Sequence, residues 1–152
     1  MLRGRLLRMS TAPKKRVIIL CVGNSCRSQM AEALWREIAG DAWEVFSAGS
    51  EPVTSVHPLT VAVLAERGID ISAARPKSVA IFADQPFDLV VTVCGDGACP
   101  VLTNVRAREH WPFDDPPATT GDESAKMAVF RRVRDKIEQR IRSYLASLPI
   151  PR

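Results

Sequence analysis

The sequence predicts a single α/β domain: a doubly wound, four-stranded parallel sheet with helices on both faces. Three observations predict it. Strand-like runs at 16–21, 43–49 and 87–94 alternate with stretches that read as helices. Two of those runs, "RVIILC" and "FDLVVTVC", lack the in–out alternation of a half-exposed strand, as expected of strands buried on both faces. The length of 152 residues, 46% hydrophobic and 25% charged, suits one globular domain with a substantial core.

Each element has its own signal. The first strand, 16–21, runs into a six-residue loop, and a helix follows from about 28 to 39. Met30, Leu34 and Ile38 share one side of that helix, and Gly40 stops it. "WEVFSAG" (43–49) is the second strand and ends in a turn. "HPLTVAVLAERG" (57–68) has proline near its start and glycine at its end, the asymmetry of a helix. The third strand, 87–94, also ends in a cysteine, and "REHW" (108–111) is the candidate fourth. Residues 112–125 form a polar, proline-rich loop. The last helix is read from Phe130, Val133, Ile137, Ile141, Tyr144 and Leu148 at helical spacing. Trp35, Trp43 and Trp111 are assigned to the core or its rim.

The formal charge of +4 is unevenly placed: residues 1–16 hold six Lys/Arg and no acid, leaving 15 basic against 17 acidic residues, a net of −2. Residues 1–15 are therefore read as a basic, disordered leader and 16–152 as the domain, with Met9 an alternative start. No nucleic-acid or membrane partner is expected. The leader lacks the apolar centre of a secretory signal, and no apolar stretch approaches the ~20 residues of a spanning helix. A cytoplasmic, reducing location follows, in which cysteines are more often catalytic or metal-binding than structural.

The stretch "CVGNSCRSQMAE" (21–32) carries the chemistry. In such folds ligands bind beyond the carboxyl ends of the strands, and Cys21 sits at that edge. A loop leading into a helix there directs backbone N–H groups inward, and the helix N-terminus adds partial positive charge. Gly23 and Asn24 are residue types that tolerate the positive φ of a tight ring. Arg27 brings a planar fork able to hold two oxygens of a tetrahedral anion. The same field favours the thiolate of Cys21, from an ordinary thiol pKa of about 8.5 toward roughly 3.5–7.5, and Ser28 is placed to donate a hydrogen bond to it. The expected oxyanion cradle is thus Val22, Gly23, Asn24, Ser25, Cys26, Arg27 and Ser28, with Cys21 as nucleophile at its floor. Displacing oxygen needs a proton donor, and Asp114 and Asp115 are the candidates.

"CVGNSCRSQMAEALW" resembles the signature of the low-molecular-weight tyrosine phosphatase superfamily, and more closely its arsenate reductase branch. The resemblance extends over 16–147. Phosphatases of this type usually have proline after the Arg-Ser pair, where this chain has Gln29 as the reductases do. "EHWPFDDPP" resembles the reductases' EHW-x-FDDP loop. The resemblance implies that Asp115, immediately before Pro116, is the general acid. It further implies a thiol relay in arsenic detoxification. Cys21 attacks arsenate, Cys94 then attacks Cys21 and arsenite leaves, and Cys99 draws the disulfide out to thioredoxin.

No bound cofactor or metal is implied, only electrons from an external thiol reductant. Phosphate and sulfate are expected mimics of arsenate, and the enzyme is expected to act as a monomer. Two departures bear on partners. The thioredoxin-coupled reductases commonly have six residues between the second and third cysteines, where this chain has four, "GDGA"; glutaredoxin or another small-thiol system is the alternative reductant. Some of these reductases bind potassium through Asn, Glu and Ser, matched here by Asn24, Glu32 and Ser47. The further Thr-x-Asp contribution falls at "RPK" (75–77), so no potassium requirement is expected.

Cys26 is read as a protective or structural thiol. The rival enzyme is a phosphatase using Cys21, Arg27 and Asp115 through a phosphocysteine. A rival of another class is a zinc module, because the two Cys-x4-Cys pairs hold four thiolates. Zinc sites favour Cys-x2-Cys, however, and do not need an arginine directly after a ligand.

Overall fold

The computed structural model describes residues 13–94 and 100–149. The leader up to residue 12 and Cys99 lie outside these. Four parallel strands, β1 (Lys15–Cys21), β2 (Trp43–Gly49), β3 (Phe87–Thr92) and β4 (Val105–His110), form one sheet in the order β2-β1-β3-β4. The chain steps from β1 to β2 on one side and then crosses to β3 on the other. The crevice between β1 and β3 is therefore the topological switch point, where doubly wound sheets bind ligands. Register places Cys21 opposite Gly49 and Leu20 opposite Thr92, so Cys21 and the end of β3 flank that crevice.

The lack of alternation in β1 has the expected cause: Val17 to Leu20 are all fully buried. Val17 and Ile19 pack with Met30, Leu34, Trp35, Val63, Phe130 and Ile137 on one face; Ile18 and Leu20 pack with Phe82, Phe87 and Leu102 on the other. The first face carries all three α-helices, α1 (Arg27–Ala39), α2 (Pro58–Ala65) and α3 (Glu123–Ser147); the second is covered by the 3-10 turn Val79–Phe82 and by Leu102. Burying each such aliphatic side chain stabilises the fold by about 1.5–3 kcal/mol. Trp35, Trp43 and Trp111 are all buried, with Trp35 stacked on Trp111 at 5.8 Å between ring centroids.

Several boundaries differ from expectation. β1 begins at Lys15, inside the expected leader, because that residue pairs with Trp43. β3 stops at Thr92, so Cys94 lies two residues beyond the strand instead of ending it. Residues 66–68 turn back instead of extending α2: the N–H groups of Arg67 and Gly68 bond the carbonyls of Leu64 and Ala65. The fourth strand lies earlier than "REHW", since its pairing runs from Val105 opposite Phe87 to His110 opposite Thr92. α3 starts at Glu123, where the Asp122 side chain accepts a hydrogen bond from the N–H of Ala125 and caps it.

Candidate active site

Cys21 ends β1 with 4% of its surface exposed. The loop after it is shaped from outside. The segment 50–57 runs alongside and donates backbone N–H groups to the loop's carbonyls. Ser50 bonds Cys21 O (3.2 Å), Glu51 bonds Val22 O (2.9 Å), Val53 bonds Gly23 O (3.1 Å) and His57 bonds Ser25 O (3.1 Å). In a trans peptide the C=O and the following N–H point opposite ways. Turning those carbonyls outward therefore turns the N–H groups of Val22, Gly23, Asn24 and Cys26 inward. The Asn24 N–H is seen doing so, 3.1 Å from the Cys21 sulfur.

Close approach of that loop to β2 requires Gly49. A Cβ there would overlap the Val22 carbonyl oxygen and come within 3.1 Å of the Asn24 nitrogen. Asn24 takes the left-handed conformation, φ 54°, and is the non-glycine residue that does so among the described residues. Gly23, expected to share that role, does not: the ring needs one left-handed residue, and Asn24 supplies it while burying its amide.

That amide orders the hydroxyls beside Cys21. The Lys77 backbone N–H lies 2.8 Å from Asn24 Oδ1. A backbone amide only donates, so this atom is the oxygen and Nδ2 faces the other way. Asn24 Nδ2 therefore donates to Ser28 Oγ (2.8 Å) and Ser47 Oγ (2.9 Å). Each hydroxyl then turns its own proton elsewhere. Ser28 Oγ is hydrogen-bonded to Cys21 Sγ at 2.8 Å, and Ser47 donates to Glu32 Oε1 at 2.5 Å. The Cys21 sulfur thus has two hydrogen-bond partners, the Ser28 hydroxyl and the Asn24 backbone N–H. Lys77 Nζ stands 3.7 Å from the same Glu32 oxygen and donates to Arg75 O at 3.2 Å.

Arg27 opens α1 and joins three elements. Its Nη1 donates to Val93 O (3.2 Å) just past β3 and to Phe113 O (3.0 Å), and Nη2 lies 3.5 Å from Asp115 Oδ1. Asp115 is half exposed, whereas Arg27 is mostly buried. Cys21 is thus joined to Ser28, and the neighbouring Arg27 to Asp115.

Cys26 is buried beside them, and burial pushes its thiol above the ordinary range; at neutral pH it is a protonated thiol. Cys94 lies past β3 with its sulfur 3.8 Å from the carbonyl oxygen of Leu20, the residue before the nucleophile. It is disulfide-bonded, whereas Cys21 and Cys26 are free thiols. His57 caps α2 by accepting from the Leu59 N–H, and its ring packs on Phe130.

Residues 16–150 match the family described as Low molecular weight phosphotyrosine protein phosphatase. The chain belongs to that family. Within it, the chain is 47% identical over 133 residues to an arsenate reductase of Halalkalibacterium halodurans, covering 86% of this chain and 95% of the relative. A solved structure described as an arsenate reductase in the phosphate binding state superposes with a TM-score of 0.75 at 32% identity, covering 89% of this chain and 99% of the other. A thioredoxin-dependent arsenate reductase from Corynebacterium glutamicum superposes with a TM-score of 0.68 at 31% identity, over 95% of this chain and 70% of the other. Among the described residues no helix is long and apolar enough to cross a membrane.

Sequence reasoning singled out Cys21, Arg27, Ser28 and the loop of Asp115, and it missed the frame around them. The outer donors of 50–57 are backbone groups without a residue signature. Gly49 carried a signal only as a glycine directly at a strand end.

Proposed function

We propose that this protein reduces arsenate to arsenite through a thiol relay starting at Cys21. The observation that carries the reading is the pair of hydrogen bonds aimed at the Cys21 sulfur, at the floor of a ring of inward N–H groups. Arsenate enters as a tetrahedral oxyanion. Its oxygens take the hydrogen bonds of the ring amides, and the Arg27 guanidinium binds two of them. Cys21 sulfur attacks arsenic, and Asp115 gives its proton to the departing oxygen, which leaves as water. The thiolate of Cys94 then attacks the Cys21 sulfur. The S–As electron pair passes to arsenic, arsenite leaves, and a Cys21–Cys94 disulfide remains. Two thiols have been oxidised and arsenic has gained two electrons. Cys99 attacks Cys94 and frees Cys21, and an external dithiol reduces the resulting disulfide.

Two features support the relay. Cys94 sits beyond β3 against the backbone that leads to Cys21. A disulfide at Cys94 with Cys21 and Cys26 free is the covalent state expected after the second exchange. Thioredoxin is the reductant we assign, supported by the thioredoxin-dependent relative, with glutaredoxin the alternative. Lys77 supplies the positive charge beside Glu32, so potassium is not required. Cytoplasmic action as a monomer completes the reading.

The test supplies arsenate, thioredoxin, thioredoxin reductase and NADPH and assays arsenite directly, with an aryl phosphate in parallel. One arsenite per NADPH is expected. Rapid aryl phosphate cleavage without arsenite under either reductant means a phosphatase instead.

A further inference from the structure

Gln29 lies in the first turn of α1 and is 2% exposed. Its Nε2 is 3.2 Å from Asn24 O, 3.1 Å from Asn24 Oδ1 and 3.2 Å from Arg75 O. All three are acceptors, and Asn24 Oδ1 is fixed as oxygen by the Lys77 N–H. The two amide hydrogens of Gln29 are therefore shared among three oxygens.

Each contact has a consequence for the loop. The carbonyls of Cys21, Val22, Gly23 and Ser25 are turned outward by backbone N–H groups of 50–57. The Asn24 carbonyl falls in the same run, and its donor is a side chain, Gln29. By the same trans-peptide geometry, that bond turns the Ser25 N–H into the ring. The second contact holds the Asn24 amide in the orientation that donates to Ser28, the hydroxyl bonded to Cys21. The third ties the loop to 75–77, where the Lys77 carbonyl in turn accepts from the Gly49 N–H at 2.9 Å.

We propose that Gln29 is a positioning residue of the oxyanion loop: it sets the Asn24–Ser25 peptide and the Asn24 side chain, and so governs how tightly the loop holds a tetrahedral anion without touching it. The proposal rests on the reading of 21–28 as an oxyanion cradle. A glutamine that only filled space in the core would affect stability alone.

Two variants separate these roles. Gln29→Met keeps length and apolar bulk and removes the donors. Inorganic phosphate binding is titrated by calorimetry, and arsenate KM and kcat are measured alongside thermal melting. Phosphate affinity is expected to fall and arsenate KM to rise together by roughly 5–30-fold, the effect of losing one or two ordinary hydrogen bonds, with kcat changed less. Wild-type protein that binds no phosphate overturns the cradle reading and this inference with it. Wild-type binding matched within twofold by a Gln29→Met protein that melts earlier overturns the inference alone. Should Gln29→Met fail to fold, Gln29→Glu decides. Its carboxyl donates one hydrogen when protonated and none when ionised. Its phosphate affinity, taken as a ratio to wild type at each pH from 4.5 to 9, is expected to fall as pH rises. A ratio that stays flat overturns the inference.

Discussion

Replacing Gly49 by alanine adds one methyl group where β2 meets the loop, and the structure fixes what that methyl displaces. The new Cβ overlaps the Val22 carbonyl oxygen and crowds the Asn24 nitrogen. Neither neighbour is free to yield: Val22 O is bonded by the Glu51 N–H at 2.9 Å, and the Asn24 N–H is aimed at the Cys21 sulfur. To restore ordinary van der Waals contact the Val22 carbonyl must retreat by about 1 Å. Overpacking of this kind destabilises by about 1–3 kcal/mol. At about 2–4 °C per kcal/mol for a domain of this size, melting should fall by about 2–12 °C. Activity should suffer more, because a 1 Å misplacement of reacting groups costs about 100-fold. The assay pairs thermal melting with arsenate kcat/KM, and phosphate affinity checks the loop itself. A Gly49→Ala protein whose kcat/KM stays within twofold of wild type refutes the argument that β2 sets the loop's geometry.

The site makes further predictions. Ser28→Ala removes the hydroxyl hydrogen-bonded to the Cys21 sulfur; if it donates to a thiolate there, as the proposed attack requires, kcat/KM should fall by about 10- to 150-fold, the range for a hydrogen bond to a charged group, and alkylation of Cys21 by iodoacetamide at pH 7 should slow. Asp115→Asn should lower kcat by about 100- to 10,000-fold while phosphate still binds, since Arg27 and the ring amides remain; an unchanged kcat would exclude Asp115 as the acid. Lys77→Met removes the ammonium beside Glu32, and added potassium should then stimulate arsenate turnover relative to sodium, whereas wild type should not respond. Glu66, hydrogen-bonded by Arg131 and Arg134, has its carboxyl held down at about 2 from an ordinary 4.5. A depressed carboxyl contributes stability that is present above its unfolded pKa and lost as pH falls through the folded one. The melting-temperature gap between wild type and the Glu66→Gln variant should therefore shrink between about pH 4.5 and 2, and a gap that is constant over that window would refute the assignment.

The core strands were legible because their physics is local. Val17 to Leu20 are buried on both faces, and a continuous apolar run says so. β4 was read late because it is an edge strand: Arg106, Ala107, Arg108 and His110 are exposed, so no apolar pattern marks its start. Its limits come from pairing with β3, which is a tertiary fact. The end of α3 was clear from its apolar spacing, whereas its start depended on the Asp122 cap inside a stretch that otherwise reads as loop.

The same division runs through the site. Cys21, Arg27 and Ser28 announce themselves because chemistry demands those side chains at that spacing. The Ser50–His57 frame acts through backbone N–H groups that nearly any sequence provides, and no residue pattern reveals it. Asn24 was expected to tolerate a strained backbone. That its amide also donates to Ser28 depends on the Lys77 N–H, which is distant in sequence and adjacent only after folding.

The thiol relay is tested most directly by trapping its first disulfide. A Cys99→Ser protein, fully reduced and then given arsenate without an external reductant, should release one arsenite per chain and stop. Peptide mapping of the product should find Cys21 joined to Cys94. Arsenite released without that linkage, or continued turnover by Cys94→Ser with thioredoxin, would contradict the relay and leave Cys21 working with some other thiol.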